Sequence, residues 1–194
     1  GLLHSANGNI PSVITISVGD FEQNVGALGG GDISVSAGGD VLDLSLISAR
    51  SRQYTGEIPI DPDTQKLTFT PDNYHYLGGG DIALRSQGDI VGGVYLVDDG
   101  VATIQAANSI GGNELLALEE QTSDRLSPLL LMQEGSYQLS AQGGIEIQSI
   151  INSTWLPLAK SQLSYNNHAP SYFSYSPDTD INISSITGDI RLIN

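Results

Sequence analysis

Four aspartates are the first residues whose type and spacing suggest chemistry. Asp32 and Asp40 lie eight apart in Gly30-Gly31-Asp32-Ile33-Ser34-Val35-Ser36-Ala37-Gly38-Gly39-Asp40. Asp81 and Asp89 lie eight apart in a copy that runs from Gly79 to Asp89. Carboxylates repeated at one spacing can stack as a ladder and hold Ca²⁺ together with backbone carbonyls. They also suit a purely structural role, because an aspartate after glycine accepts hydrogen bonds from nearby turn amides. A Ca²⁺-binding β-roll needs tandem nonapeptide repeats, and only isolated pieces of one occur. The four are therefore read as structural corners, and neither a metal nor a cofactor is expected. Asp61-Pro62-Asp63-Thr64 lacks the glycine and later ligands of an EF-hand loop and reads as a turn.

The other candidates carry less. Asp98-Asp99 and Glu119-Glu120 are the adjacent acidic pairs. Neighbours on a strand point to opposite faces, which defeats joint acid–base work unless a turn intervenes; both pairs are read as solvated surface. His4, His75 and His168 are scattered, with no spacing that suggests a zinc site or a nucleophile triad. Gly78-Gly79-Gly80 is not a phosphate loop, since no Lys-Ser or Lys-Thr follows it. No catalytic residue is assigned. The remaining candidate is aromatic: Trp155, Tyr165, Tyr172, Phe173 and Tyr175 could stack on a sugar or dock a partner, or simply pack on the side of the fold.

The elements that must position these residues are short strands. Ile33 and Val35 alternate with Ser34 and Ser36, and Ile82 and Leu84 fall in the same frame. Val41 to Ile47 continue the pattern, with Leu42, Leu44 and Leu46 expected on one face after a parity shift at Gly39-Asp40. Further short strands are expected at 13–18, closed by Gly19-Asp20, and at 94–97, 102–106, 129–151 and 181–192. Echoes of the motif recur at Gly143-Gly144-Ile145-Glu146-Ile147 and Thr187-Gly188-Asp189-Ile190. At most one or two helical turns are expected over 114–120. Two stretches break the rhythm. Residues 50–76 read as an inserted hairpin with strands near 56–60 and 66–70, and 152–178 as an irregular loop.

Strands this short bury too little to stand alone. Repeated at short intervals and closed by glycine corners, they can stack in parallel, with Ile, Val and Leu inward and Ser, Thr, Gln and Arg outward. The fold class expected is all-β, a right-handed parallel β-helix with extra-coil loop or hairpin insertions. A β-sandwich is the rival, and re-use of the Gly-Asp frame favours the helix. The whole chain, 1–194, reads as one β-helix segment of a longer protein, since its start falls mid-pattern and lacks an export leader.

Composition narrows the partners. Seven basic residues against 22 acidic give a net charge of −15. Such a surface repels phosphate backbones and anionic lipid, so nucleic acid is excluded as an expected partner. There is no cysteine, which suits a chain that must cross an oxidising compartment unfolded. No run approaches the ~20 apolar residues of a membrane helix.

On the motif Gly30–Asp40, its copy Gly79–Asp89, and the tail Ser171-Tyr172-Phe173-Ser174-Tyr175 followed by Thr187-Gly188-Asp189-Ile190, the chain resembles the filamentous haemagglutinin family, the large exoproteins of bacterial two-partner secretion. The resemblance covers most of the chain through motifs of low complexity. It implies a β-helical shaft, secreted through an outer-membrane pore and displayed at, or released from, the bacterial cell surface. The family's Asn-rich secretion motifs are not found, so engagement of the pore would fall to another region of the parent chain. The function expected is a structural shaft or adhesin segment whose partner is a receptor or glycan on a host or bacterial surface. The alternatives are a β-helical polysaccharide-active enzyme and a carbohydrate-binding module using the aromatic loop.

Overall fold

The computed structural model describes residues 3–5, 14–16, 24–27, 29–54, 63, 74–112, 126–132, 134–152 and 179–193. Strands β1 (Leu3–Ser5) and β2 (Ile14–Ile16) pair antiparallel in a sheet of their own. The described part of the run expected at 13–18, Ile14–Ile16, therefore lies outside the parallel stack. β3 (Asn24–Ala27) begins that stack. The first full coil is β4 (Ile33–Ala37), β5 (Val41–Leu42) and β6 (Ser45–Ser48). An antiparallel pair, β7 (Arg50–Tyr54) and β8 (Tyr74–Gly78), then leaves and rejoins it. The second coil is β9 (Ile82–Ser86), β10 (Ile90–Val91) and β11 (Val94–Val97). The third is β12 (Val101–Ala106), β13 (Ile110–Gly111) and β14 (Leu129–Met132). The fourth is β15 (Ser136–Ala141), β16 (Ile145–Ile147) and β17 (Ser149–Asn152). β18 (Ile181–Ser185) and β19 (Ile190–Leu192) belong to a fifth.

Corresponding strands pair in parallel. The first sheet runs β4-β9-β12-β15-β18, the second β5-β10-β13-β16-β19 and the third β3-β6-β11-β14-β17. Three five-stranded parallel sheets fed in rotation by successive coils make a parallel β-helix. The strands have two to six residues, and each inner one finds its missing backbone partners on the coils above and below, which is why such short pieces persist.

The register builds apolar columns. Ile33, Ile82, Ala102, Tyr137 and Ile181 share one column of the first sheet; Val35, Leu84, Ile104, Leu139 and Ile183 share the next. Val41, Ile90, Ile110, Ile145 and Ile190 form the column of the second sheet. Leu46, Tyr95, Leu130 and Ile150 form that of the third. The central members are fully buried, and each Ile or Leu among them is worth about 1.5–3 kcal/mol relative to exposure. Ile33 and Val35 point into the core as expected, with Ser34 and Ser36 exposed.

Three expectations are corrected. The parity shift does not fall at Gly39-Asp40, since Val41 keeps the inward frame of Ile33. It falls at Asp43, a non-glycine residue at φ 51, after which Leu44 and Leu46 turn inward while Leu42 stays exposed. Leu42 thus does not share a face with them. The outward side of the third sheet is also not polar. Ile47, Leu96 and Leu131 lie there in one column at 2, 3 and 1% exposure and form a second apolar cluster. In the excursion, the paired strands are β7 and β8; Asp63 lies in a turn, and the expected strands at 56–60 and 66–70 lie outside the described residues, as does the helical run at 114–120.

Candidate functional site

The corner aspartates act between coils. Asp32 Oδ1 accepts the N–H of Asp81 at 2.9 Å, and Asp81 Oδ1 accepts that of Val101 at 2.8 Å. Asp40 Oδ1 accepts the N–H of Asp89 at 2.8 Å, and Asp89 Oδ1 that of Ser109 at 2.8 Å. The acceptor therefore reaches the next coil, whereas a local turn bond within the same corner was the simpler expectation. The lower pair of bonds spans 49 residues and the upper pair 20. The same step is made with and without the intervening β7–β8 excursion, which is spliced in without altering the stack. The ladder stops where Val101 and Ser109 occupy the two columns. A carboxylate bonded to a backbone amide is a charge-assisted contact, and here it offsets the repulsion of stacked like charges. Among the described residues no three acidic or imidazole groups converge to hold a metal ion.

Space is fitted to this ladder. A Cβ at Gly88 would run into Asp40 Oδ1 and approach Asp40 N at 3.0 Å, so glycine at this corner leaves room for the staple from the coil below. A serine completes the corner. Buried Ser86 donates to Gly39 O at 2.6 Å and accepts from Gly88 N at 3.1 Å. Ser185 donates to Gly143 O at 2.7 Å and accepts from Gly188 N at 3.0 Å. Sequence reading missed these serines, although their recurrence just ahead of Gly88-Asp89 and Gly188-Asp189 is a usable signal.

Asp98 is largely desolvated, whereas its neighbour Asp99 stays half in water. They sit at the corner between β11 and β12, where the chain turns, and both reach Arg50 at the root of β7. Arg50 Nη2 lies 3.3 Å from Asp98 Oδ1 and 2.9 Å from Glu134 Oε2, and Nη1 lies 3.4 Å from Asp99 Oδ2. The Arg50 amide also donates to Asp98 Oδ2 at 2.9 Å. Burial of the guanidinium works against its charge, but Asp98 and Glu134 more than offset this and hold its pKa above the ordinary arginine value. The side chains of Arg50 and Asp98 are each 13% exposed, so this is a largely desolvated link between the excursion and the second and third coils. Arg50→Ala is expected to leave Asp98 without its cation and to cost about 1–3 kcal/mol, most of it from that pair, since Asp99 and Glu134 are half in water. Thermal unfolding should show the loss, and Arg50→Met should restore little of it.

Another buried acid is structural in its contacts. Glu146 points outward from β16, and its Oε1 accepts the Ser127 hydroxyl at 2.7 Å, with both residues buried. The contact ties the chain at Leu126–Pro128 to the second sheet.

With the outer side of the third sheet apolar and that of the second partly covered, the first sheet presents the broad open face among the described residues. Its outward positions form two columns by register. One is Ser34, Ala83, Thr103, Gln138 and Asn182; the other is Ser36, Arg85, Gln105, Ser140 and Ser184. Arg85 Nε donates to Gln105 Oε1 at 3.1 Å. A shallow depression of about 420 Å³ crosses the upper coils over Gln105, Gln138, Ser140, Asn182 and Ser184.

Of the residues singled out from sequence, the structure thus brings Asp32 beside Asp81 and Asp40 beside Asp89. Trp155, Tyr165, Tyr172, Phe173 and Tyr175 lie outside the described residues, as do Glu119-Glu120 and His168. No family model, no curated protein and no solved structure matches the chain.

Proposed function

We propose that this chain is a shaft segment of a large secreted bacterial surface exoprotein of the filamentous haemagglutinin type, projecting or contributing to adhesion. The observation that carries the reading is the repetition of one coil with its staples. Each coil reuses three strands, and Asp180 and Asp189 stand ahead of Ile181 and Ile190 as Asp81 and Asp89 stand ahead of Ile82 and Ile90. Among the described residues no strand covers the outer edges of β18 and β19. There Ile190 and Leu192, in columns that are core below, are 48 and 62% exposed. The sequence motifs, the acidic surface and the lack of cysteine agree with export.

Antibodies raised against this chain provide the test. Intact cells of the producing bacterium should be labelled at the surface, the label should be removed by external protease, and immunoblots should show a polypeptide much longer than 194 residues. A protease-resistant, purely cytoplasmic antigen would remove the reading.

A further inference from the structure

We infer that the open face of the first sheet is a binding surface for a linear, uncharged glycan lying along the helix axis. The inference deepens the adhesive part of the proposed function and rests on it only for where the glycan is met. Binding itself is a property of the isolated chain.

Gln105, Gln138 and Asn182 carry amides that both donate and accept, and Ser140, Ser184 and Thr103 carry hydroxyls that do the same. Sugar hydroxyls need that dual capacity. Gln138, Ser140 and Ser184 make no side-chain hydrogen bond among the described residues; Gln138 and Ser184 are exposed and Ser140 is half-buried. Asn182 gives its Nδ2 to Asp180 Oδ2 at 2.7 Å, which fixes the amide and leaves its oxygen outward.

Geometry selects a polymer. Adjacent strands of a sheet stand about 4.8 Å apart, close to the advance of an extended glycan per sugar. A chain laid along the axis would meet one polar pair on each coil: Thr103 with Gln105, Gln138 with Ser140, Asn182 with Ser184. The depression runs over these coils. A compact ligand would find no enclosed pocket there, whereas a polymer gains from repeated shallow contacts, each small alone.

Charge selects among polymers. The face itself carries one described cation, Arg85, already engaged by Gln105. It is bordered by Asp32, Asp81 and Asp180 before the strands and by Asp40, Asp89 and Asp189 after them. The third and fourth coils carry no aspartate at these positions, but an anionic glycan would still meet Asp180 and Asp189 at the fifth coil and the lower aspartates beyond, on a chain of net charge −15, so a neutral one is favoured.

Calorimetric titration of the full chain tests this with maltohexaose, cellohexaose and N-acetylchitohexaose as neutral probes and a heparin hexasaccharide as the anionic one. At least one neutral probe should bind saturably, and the anionic one should not. In Gln138→Ala/Asn182→Ala the affinity should fall at least about tenfold with the β circular dichroism unchanged, and Gln138→Ala alone should show part of that fall. Trp155→Ala should leave it intact. The inference is overturned if no neutral probe binds, if heparin binds as well, if the face variants bind normally, or if Trp155→Ala abolishes binding. Surface labelling of cells reports on the shaft reading independently of all these outcomes.

Discussion

Gly93→Ala is expected to destabilise the protein by about 2–5 kcal/mol. Two separable costs combine. Gly93 sits at φ +90, where an L side chain crowds its own backbone at a cost of about 1–2 kcal/mol. An added Cβ would also drive into the Leu44 carbonyl of the coil below, with Leu44 C and Tyr95 OH each at 3.1 Å. Backbone in a packed stack yields little, and overpacking of this kind costs about 1–3 kcal/mol. Two companions divide the terms. Gly31 has φ +115 but nothing within 4 Å of its Cβ position, so Gly31→Ala should show the conformational part alone. Gly38 has neither constraint, and Gly38→Ala should be near neutral. Urea midpoints at constant slope would rank the three. Equal losses at Gly31 and Gly93 would mean that the approach of neighbouring coils contributes nothing.

Alkaline pH is expected to unfold the chain steeply. Tyr95 and Tyr137 are fully buried in the core. Burial pushes both hydroxyls far above the ordinary tyrosine value near 10, with the Asp43 charge adding to the shift at Tyr95. The Tyr137 hydroxyl is held as the neutral acid against Leu131 O at 2.7 Å and Tyr95 O at 2.8 Å. The sign follows directly. Folded values lie above unfolded ones, so the contribution is fully present below about pH 10, where neither state has ionised. It is lost as pH rises beyond that toward the folded values, because only the unfolded chain releases these protons. With two such groups the slope approaches about 2.7 kcal/mol per pH unit, so roughly 4 kcal/mol is gone by about pH 11.5. Of the eight tyrosines, these two should gain tyrosinate absorbance only together with loss of the β circular dichroism. Tyr95→Phe/Tyr137→Phe should flatten the slope above pH 10. Ordinary titration of all eight in an intact fold would refute the assignment.

Both results would report on the same property, the closeness of one coil to the next, and that property was only partly legible in the sequence. The alternation of Ile33 and Val35 with Ser34 and Ser36, and its repetition at Ile82 and Leu84, gave the inward columns of the first sheet. The period of a strand is local, and glycine at a corner is a local necessity. The apolar outer column of Ile47, Leu96 and Leu131 was not legible. A strand buried on both sides reads as a continuous apolar run, and nothing in Val94 to Val97 separates inward from outward. Asp98 was misread for a related reason. Its charge suggested water, while its partner Arg50 stands 48 residues earlier.

The four aspartates show where the division lies. The sequence by itself determined that Asp32, Asp40, Asp81 and Asp89 stand at corners, because glycine before and an apolar strand residue after each leave no other place for them. It also determined a stacked all-β architecture, since strands this short persist only by pairing with their own repeats. Only the tertiary structure decided what each carboxylate bonds. The amide that Asp32 accepts belongs to Asp81 and the one Asp81 accepts belongs to Val101, partners set by how many residues each coil uses before it returns. That number changes wherever an excursion such as β7–β8 is inserted. The stacking register is fixed by burial of the Ile, Leu and Val columns, a sum over the whole molecule that no single motif contains.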